Sequence, residues 1–149
     1  MCMKRIVVGV DGSDAAQAAL RWAHEEAHLR RCGLHVVHAF EIPLVTAIPG
    51  AGAVMVPADL LIDQAKGMLE AAVGSVIDPT REPIPVTTQA IQGRPAHALI
   101  DASADADLLV VGMRGHGGFA GLRIGSVASH CVHHGHCPVV VVPSGHHGH

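Results

Sequence analysis

The chain has 149 residues, 49% hydrophobic and 15% charged, with a formal net charge of −3. A chain this long is the size of one domain and hides roughly 70% of its extended surface on folding, so it can build a real core. Near-neutrality excludes a nucleic-acid binder that relies on bulk electrostatics, and apolar runs such as Leu108 to Val111 and Val139 to Val142 are too short to cross a bilayer.

Arg5 to Val10 is an aliphatic run of the kind buried on both faces of a sheet, and Asp11-Gly12-Ser13-Asp14 follows as a turn with Ser13 as helix N-cap. Ala16, Ala19, Leu20, Ala23 and Ala27 recur at helical spacing, and Gly33 is expected to stop that helix before the strand Leu34 to Phe40. This β-α-β order implies parallel pairing with a right-handed crossover. Glu41 to Val56 is apolar, contains Pro and Gly, and has no clear period; a connection this long inside one domain is usually functional or mobile. Pro57 opens the next helix, with Leu61, Ala65, Met68, Leu69, Ala72, Val73 and Val76 on its buried face. After Pro79 to Pro85, the spacing predicts a strand over Val86 to Ile91, a short helix over Pro95 to Ser103 and a buried strand over Leu108 to Gly112. Ser126 is expected to cap a helix running to about His134, and Val139 to Val142 is the last strand.

The order β-α-β-α-β-α-β-α-β specifies an α/β fold: an open, doubly wound five-stranded parallel sheet with helices on both faces, Rossmann-like. Only Trp22, Phe40 and Phe119 are aromatic, so Val, Ile, Leu and Ala must fill the core. The expectation is a single domain over 1–149, its core at about 4–143 and a solvated His-rich tail at 144–149. Lys4 and Arg5 are not followed by a signal-like stretch, and Cys2, Cys32, Cys131 and Cys137 show no CxxC spacing. Reduced thiols and a cytoplasmic protein, with no membrane and no nucleic-acid partner, are the corresponding expectations.

The informative segment is Val110-Val111-Gly112-Met113-Arg114-Gly115-His116-Gly117-Gly118, followed at Gly125-Ser126: Gly-x2-Gly-x9-Gly-Ser between a strand and a helix N-terminus. Gly115, Gly117, Gly118 and Gly121 leave backbone N–H groups unshielded and permit positive φ, and the helix behind them carries a positive dipole end; together they make an anion cradle, suited to phosphate. The plain alternative is a flexible loop whose glycines serve turns only. All 13 acidic residues lie at or before Asp107, and the segment beyond holds Arg114, Arg123 and eight of the 13 histidines, which suits an anionic ligand. No Gly-x4-Gly-Lys-Ser/Thr exists, excluding a P-loop. Gly115 to Ala120 matches a degenerate dinucleotide fingerprint, but it follows the fourth strand and has no acidic residue downstream to hold a ribose.

Taken together these residues resemble the universal stress protein family, of the single-domain ATP-binding type. The resemblance is carried by Gly9-Val10-Asp11-Gly12-Ser13, His38-Ala39, Gly93-Arg94-Pro95-Ala96, Ala106 to Gly112, the glycine signature and Cys137-Pro138-Val139, and covers residues 4 to 143. It implies that Asp11, with the backbone of Gly9 and Val10, meets the adenosine part of ATP, and that the Ala39 backbone hydrogen-bonds the adenine edge. It further implies that Gly112, Met113, Arg114, Gly115, His116, Gly117 and Gly118 wrap ribose and phosphates, with Gly125, Ser126 and Val127 closing on the phosphates, Mg²⁺ being an optional companion. The same resemblance implies a homodimer through Val139 to Val142, whose unbroken apolar run suits pairing at a sheet edge. An unknown protein partner would read the nucleotide state.

No catalytic residue is expected, because a nucleotide-hydrolysing site needs a positioned base and carboxylates for Mg²⁺, and Asp11 is the one acid foreseen at the crevice. Alternatives are a slow ATPase on the same fold, a member binding cyclic AMP, and a His-rich metal binder. For the last, His130/His134 and His133/Cys137 stand at i,i+4, a chelating spacing, but one short helix presents only two ligands per face.

Overall fold

The computed structural model describes residues 4–42, 46–50, 52–54, 57–114 and 124–144. In chain order they form β1 (Arg5–Gly9), α1 (Asp14–Arg30), β2 (Gly33–Phe40), β3 (Thr46–Ile48), β4 (Gly52–Val54), α2 (Ala58–Gly74), β5 (Val86–Gln92), α3 (Pro95–Ala102), β6 (Leu108–Gly112), α4 (Ser126–His134) and β7 (Val139–Val142). Five strands make one sheet in the order β5-β2-β1-β6-β7, every pair parallel. The chain winds outward from β1 through β2 to β5, then returns to the other side of β1 for β6 and β7. Strand order therefore reverses between β1 and β6, the place where an open α/β sheet parts its loops and leaves a crevice.

Alternation along the strands divides the core. Ile6, Val8 and Val10 join Leu34, Val36 and Val110 under α1 and α2, while Val7, Val37, Leu109 and Val111 meet Leu99, Ile100 and Cys131 of α3 and α4. The alanine ladder of α1 lets that helix lie close on the sheet, with Ala19, Ala23 and Ala27 fully buried. Such an interior is close-packed, so truncating the fully buried Leu109 to Ala should cost about 2–5 kcal/mol. At the amino edge the Asp107 carboxylate accepts the N–H groups of Lys4 at 2.7 Å and Arg5 at 3.0 Å, tying the start of β1 to the residue before β6. Among the described residues no helix is long and apolar enough to cross a membrane.

Three local expectations are corrected. Gly33 does not stop α1: the helix ends at Arg30, capped by Arg31 in the left-handed region at φ 54°, and Gly33 opens β2. Ser126 is not the cap of α4; Gly125 occupies the cap position in extended geometry and Ser126 is the first helical residue. Glu41 to Val56 is not without regular structure, because β3 and β4 pair antiparallel within it.

Candidate functional site

The site is built from strand ends. Past β1, the Val10 N–H still reaches the Val37 carbonyl at 2.9 Å, the last backbone bond between the two strands. The chain then turns: the Asp11 carboxylate accepts the Ser13 N–H at 2.9 Å, Gly12 adopts φ 84°, and Ser13 Oγ accepts the Ala16 N–H at 3.2 Å as the cap of α1. Positive φ at Gly12 is what lets a turn this tight deliver Asp11 to the crevice and still start the helix at once.

Across the crevice, Gly112 ends β6 under the first turn of α1. A Cβ there would lie 2.7 Å from the Ala15 carbonyl carbon and 2.8 Å from its oxygen, so only glycine lets strand and helix approach this closely. Met113 next gives its N–H to the Val142 carbonyl at 2.8 Å and takes the Gly125 N–H on its own carbonyl at 2.6 Å. The end of β6 and the start of α4 are thereby joined. Among the described residues no side chain caps α4, and its first turn, at the positive end of the helix dipole, faces the same edge as the end of β6.

Ala39 is placed by parity. A residue in a parallel strand sends its N–H and C=O to the same neighbour, and alternate residues face opposite neighbours. The Phe40 carbonyl accepts the Gly93 N–H on the β5 side at 2.8 Å, so Ala39, like Val37, faces β1. Since β1 has ended, the Ala39 backbone looks into the crevice.

Gly9, Val10, Asp11, Ala39, Gly112, Met113, Arg114, Gly125, Ser126 and Val127 are thus brought to one edge of the sheet, at the ends of β1, β2 and β6 and the start of α4. Arg114 and Ser126 are exposed, and Val127 packs against the core between α3 and α4. Gly115, His116, Gly117 and Gly118 lie outside the described residues, as does the tail from 145. His38, quoted with Ala39 for the resemblance but given no role there, lies at the same edge: its ring meets the Val10 carbonyl, a contact set by pairing β2 beside β1.

His97 of α3, His130 and His134 form a row of rings with centroids 5.2 and 4.6 Å apart, and desolvation, then neighbouring His134, His97 and His133, holds His130 below its ordinary value. Among the described residues no group of three or more His, Cys, Asp or Glu is arranged to hold a metal ion. Burial, followed by the neighbouring Cys137, pushes the Cys131 thiol up to about 11, so it stays protonated. A cleft of about 250 Å³ lined by His28, Arg31 and Glu82 to Pro85 opens at the opposite, amino-terminal edge.

A parallel sheet with helices on both faces, with a helix N-terminus and a glycine-bearing strand end at its switch point, defines a doubly wound α/β protein, the class whose ligands bind beyond the carboxyl ends of the strands. Residues 3–143 match the profile of the Universal stress protein family, and the chain belongs to that family. Universal stress protein Rv2623 of Mycobacterium tuberculosis is 36% identical over 147 residues, 92% of this chain and 46% of that protein. The chain spans about half the length of the curated relatives it matches. Among solved structures, the universal stress protein UspA from Lactobacillus plantarum superposes with a TM-score of 0.75 at 26% identity, over 95% of this chain and 99% of that one. A universal stress protein from Archaeoglobus fulgidus in complex with dAMP does so with a TM-score of 0.66 at 29% identity, over 95% and 99%.

Proposed function

We propose that this chain binds an adenine nucleotide, ATP foremost, in the crevice between β1 and β6, and acts as a nucleotide-dependent regulatory module with little or no catalysis. The observation that carries the reading is the Gly125 N–H on the Met113 carbonyl, which fastens the uncapped start of α4 beside the end of β6, across from Asp11. An adenosine needs a slot with a few fixed polar groups, and a phosphate chain needs N–H donors; Asp11 and the Ala39 backbone serve the first, α4 and the segment from Gly112 the second. The dAMP complex of the related Archaeoglobus fulgidus protein supports the adenine class. Gly115, His116, Gly117 and Gly118 complete the phosphate cradle in this reading, and any Mg²⁺ is carried mainly by the phosphates.

Asp11 is the acid at the tip of β1, and it already accepts the Ser13 N–H. With no second carboxylate assigned to a metal or a water, hydrolysis is slow or absent. Bound nucleotide presents its state on the surface formed by the 41–56 connection, where a protein partner reads it, and β7, at the edge of the sheet, pairs with a second copy.

The test is mass spectrometry of small molecules released on denaturing freshly purified protein, paired with titration of ATP and cyclic AMP into nucleotide-free protein. Retention of an adenine nucleotide by the wild type, and its loss in Asp11→Glu and Gly115→Ala, is expected. Unchanged affinity in both variants would remove the mechanism, and a single-turnover hydrolysis rate above buffer would replace the regulatory module with an enzyme.

A further inference from the structure

We infer that His38 holds the Ala39 main chain open for a nucleobase, and thereby sets a preference for adenine over guanine at the site proposed above, the reading on which this inference rests. The origin lies in the ladder between β1 and β2. Val37 faces β1, its carbonyl accepting the Val10 N–H at 2.9 Å. If that parallel ladder ran on, the Val10 carbonyl would accept the next inward N–H of β2, which is that of Ala39.

It does not run on. The Val10 carbonyl is met at 2.8 Å by Nδ1 of His38, and among the described residues no backbone bond joins Ala39 to Val10. A carbonyl oxygen only accepts, so Nδ1 carries the proton and the ring's tautomer is fixed. The imidazole thus stands in for the Ala39 amide and ends the ladder one bond early. Phe40 is meanwhile held to β5 through the Gly93 N–H, which keeps β2 in register and Ala39 facing the crevice.

The consequence is a donor and an acceptor from one residue, side by side and unclaimed by β1. Adenine offers the complementary pair on one edge, a ring-nitrogen acceptor beside the exocyclic amino donor. Guanine in the same pose brings O6 where the amino group was, setting an acceptor against the Ala39 carbonyl and leaving both without a proton between them. His38 touches neither base nor phosphate in this account; it is a positioning residue.

The experiment has two readouts on the full chain. Calorimetric titration should show ATP binding at least about tenfold tighter than GTP in the wild type, with His38→Ala losing about tenfold in ATP affinity and most of the preference. His38→Asn, whose amide nitrogen sits at the same distance from Cβ as Nδ1, should stay within about threefold of wild type. Amide hydrogen exchange on nucleotide-free protein should show the Ala39 N–H exchanging fast in the wild type and more slowly in His38→Ala, where the freed Val10 carbonyl takes it. A merely structural histidine would loosen this edge and leave Ala39 no better protected. ATP affinity and Ala39 exchange both unchanged in His38→Ala overturn the role of His38 alone; a wild type that takes neither nucleotide overturns the underlying reading, and the base preference falls with it.

Discussion

Gly125 gives its N–H to the Met113 carbonyl at 2.6 Å, and Met113 gives its own N–H to Val142 at 2.8 Å, so one residue fastens β6 to both β7 and the start of α4. The Gly125 backbone, at φ −76° and ψ 167°, is a conformation proline also adopts. Gly125→Pro therefore deletes the donor with its own dihedral tolerated, and Gly125→Ala is the control that keeps it. Urea unfolding should place the proline variant about 1 kcal/mol below the alanine variant, with ATP affinity lower by about fivefold. Equal affinity in the two variants would separate the Met113 bond from ligand binding.

Gly112 and Gly9 both lie where a Cβ has no room, but what they would strike differs. At Gly112 the obstacle is the Ala15 backbone at 2.7 and 2.8 Å, part of the first turn of α1; at Gly9 it is the Leu99 methyl groups at 2.6 and 2.8 Å. Helix backbone moves only with the whole helix, whereas a leucine side chain can turn. Gly112→Ala should cost about 2–3 kcal/mol and shift α1 away from the crevice, against about 1 kcal/mol for Gly9→Ala, as read from denaturant midpoints. The reverse ranking would mean that α1 yields more easily than the core around Leu99.

The elements set by periodicity were legible in the chain. The alanine spacing of α1 and the aliphatic runs of β1, β6 and β7 are strong local signals, and the alternation of strands with helices leaves the doubly wound sheet as the outcome. What was not legible depends on distant geometry or on very short segments. The β3-β4 hairpin has strands of three residues, too few for a period to show. Arg31 in a left-handed cap has no sequence cue, since glycine or asparagine is the ordinary choice, and Gly125 displaced Ser126 as a cap because extended geometry there needs no side chain. At the crevice, Asp11, just past β1, and Gly112, the last residue of β6, could be placed from the strand pattern. The contact of His38 with Val10 could not be read, because the two lie 28 positions apart and meet only through the register of β2 against β1.

Asp107 carries a prediction in acid. The backbone N–H groups of Lys4, then of Arg5, hold its carboxyl below the ordinary 3.8. A carboxylate with a lowered native value contributes stability above the unfolded value and loses it as pH falls through the native one. Asp107→Asn should therefore lower the melting temperature at pH 7, and the gap to wild type should close as pH drops below 3.8. A gap that stays constant with pH would assign the effect to shape rather than charge.

His24 is buried on α1, edge-on to the His28 ring with centroids 4.6 Å apart. Burial first, then the charges of His28 and Arg81, holds it below its ordinary value of 6.5, with Glu25 opposing. A histidine with a lowered native value is neutral in both states well above 6.5. As pH falls through 6.5 the unfolded chain takes up a proton that the folded one does not, so stability drops until the native value is passed and then levels. The wild type should thus lose denaturant midpoint between pH 7 and pH 5, a loss that His24→Leu, similar in bulk and without a proton site, should largely escape. The leucine brings a branched end where the imidazole was flat, so the comparison is made within each protein across pH and not between the two at one pH. Parallel pH profiles for the two proteins would place the acid-sensitive group elsewhere, with His130 beside His97 and His134 the next ring row to vary.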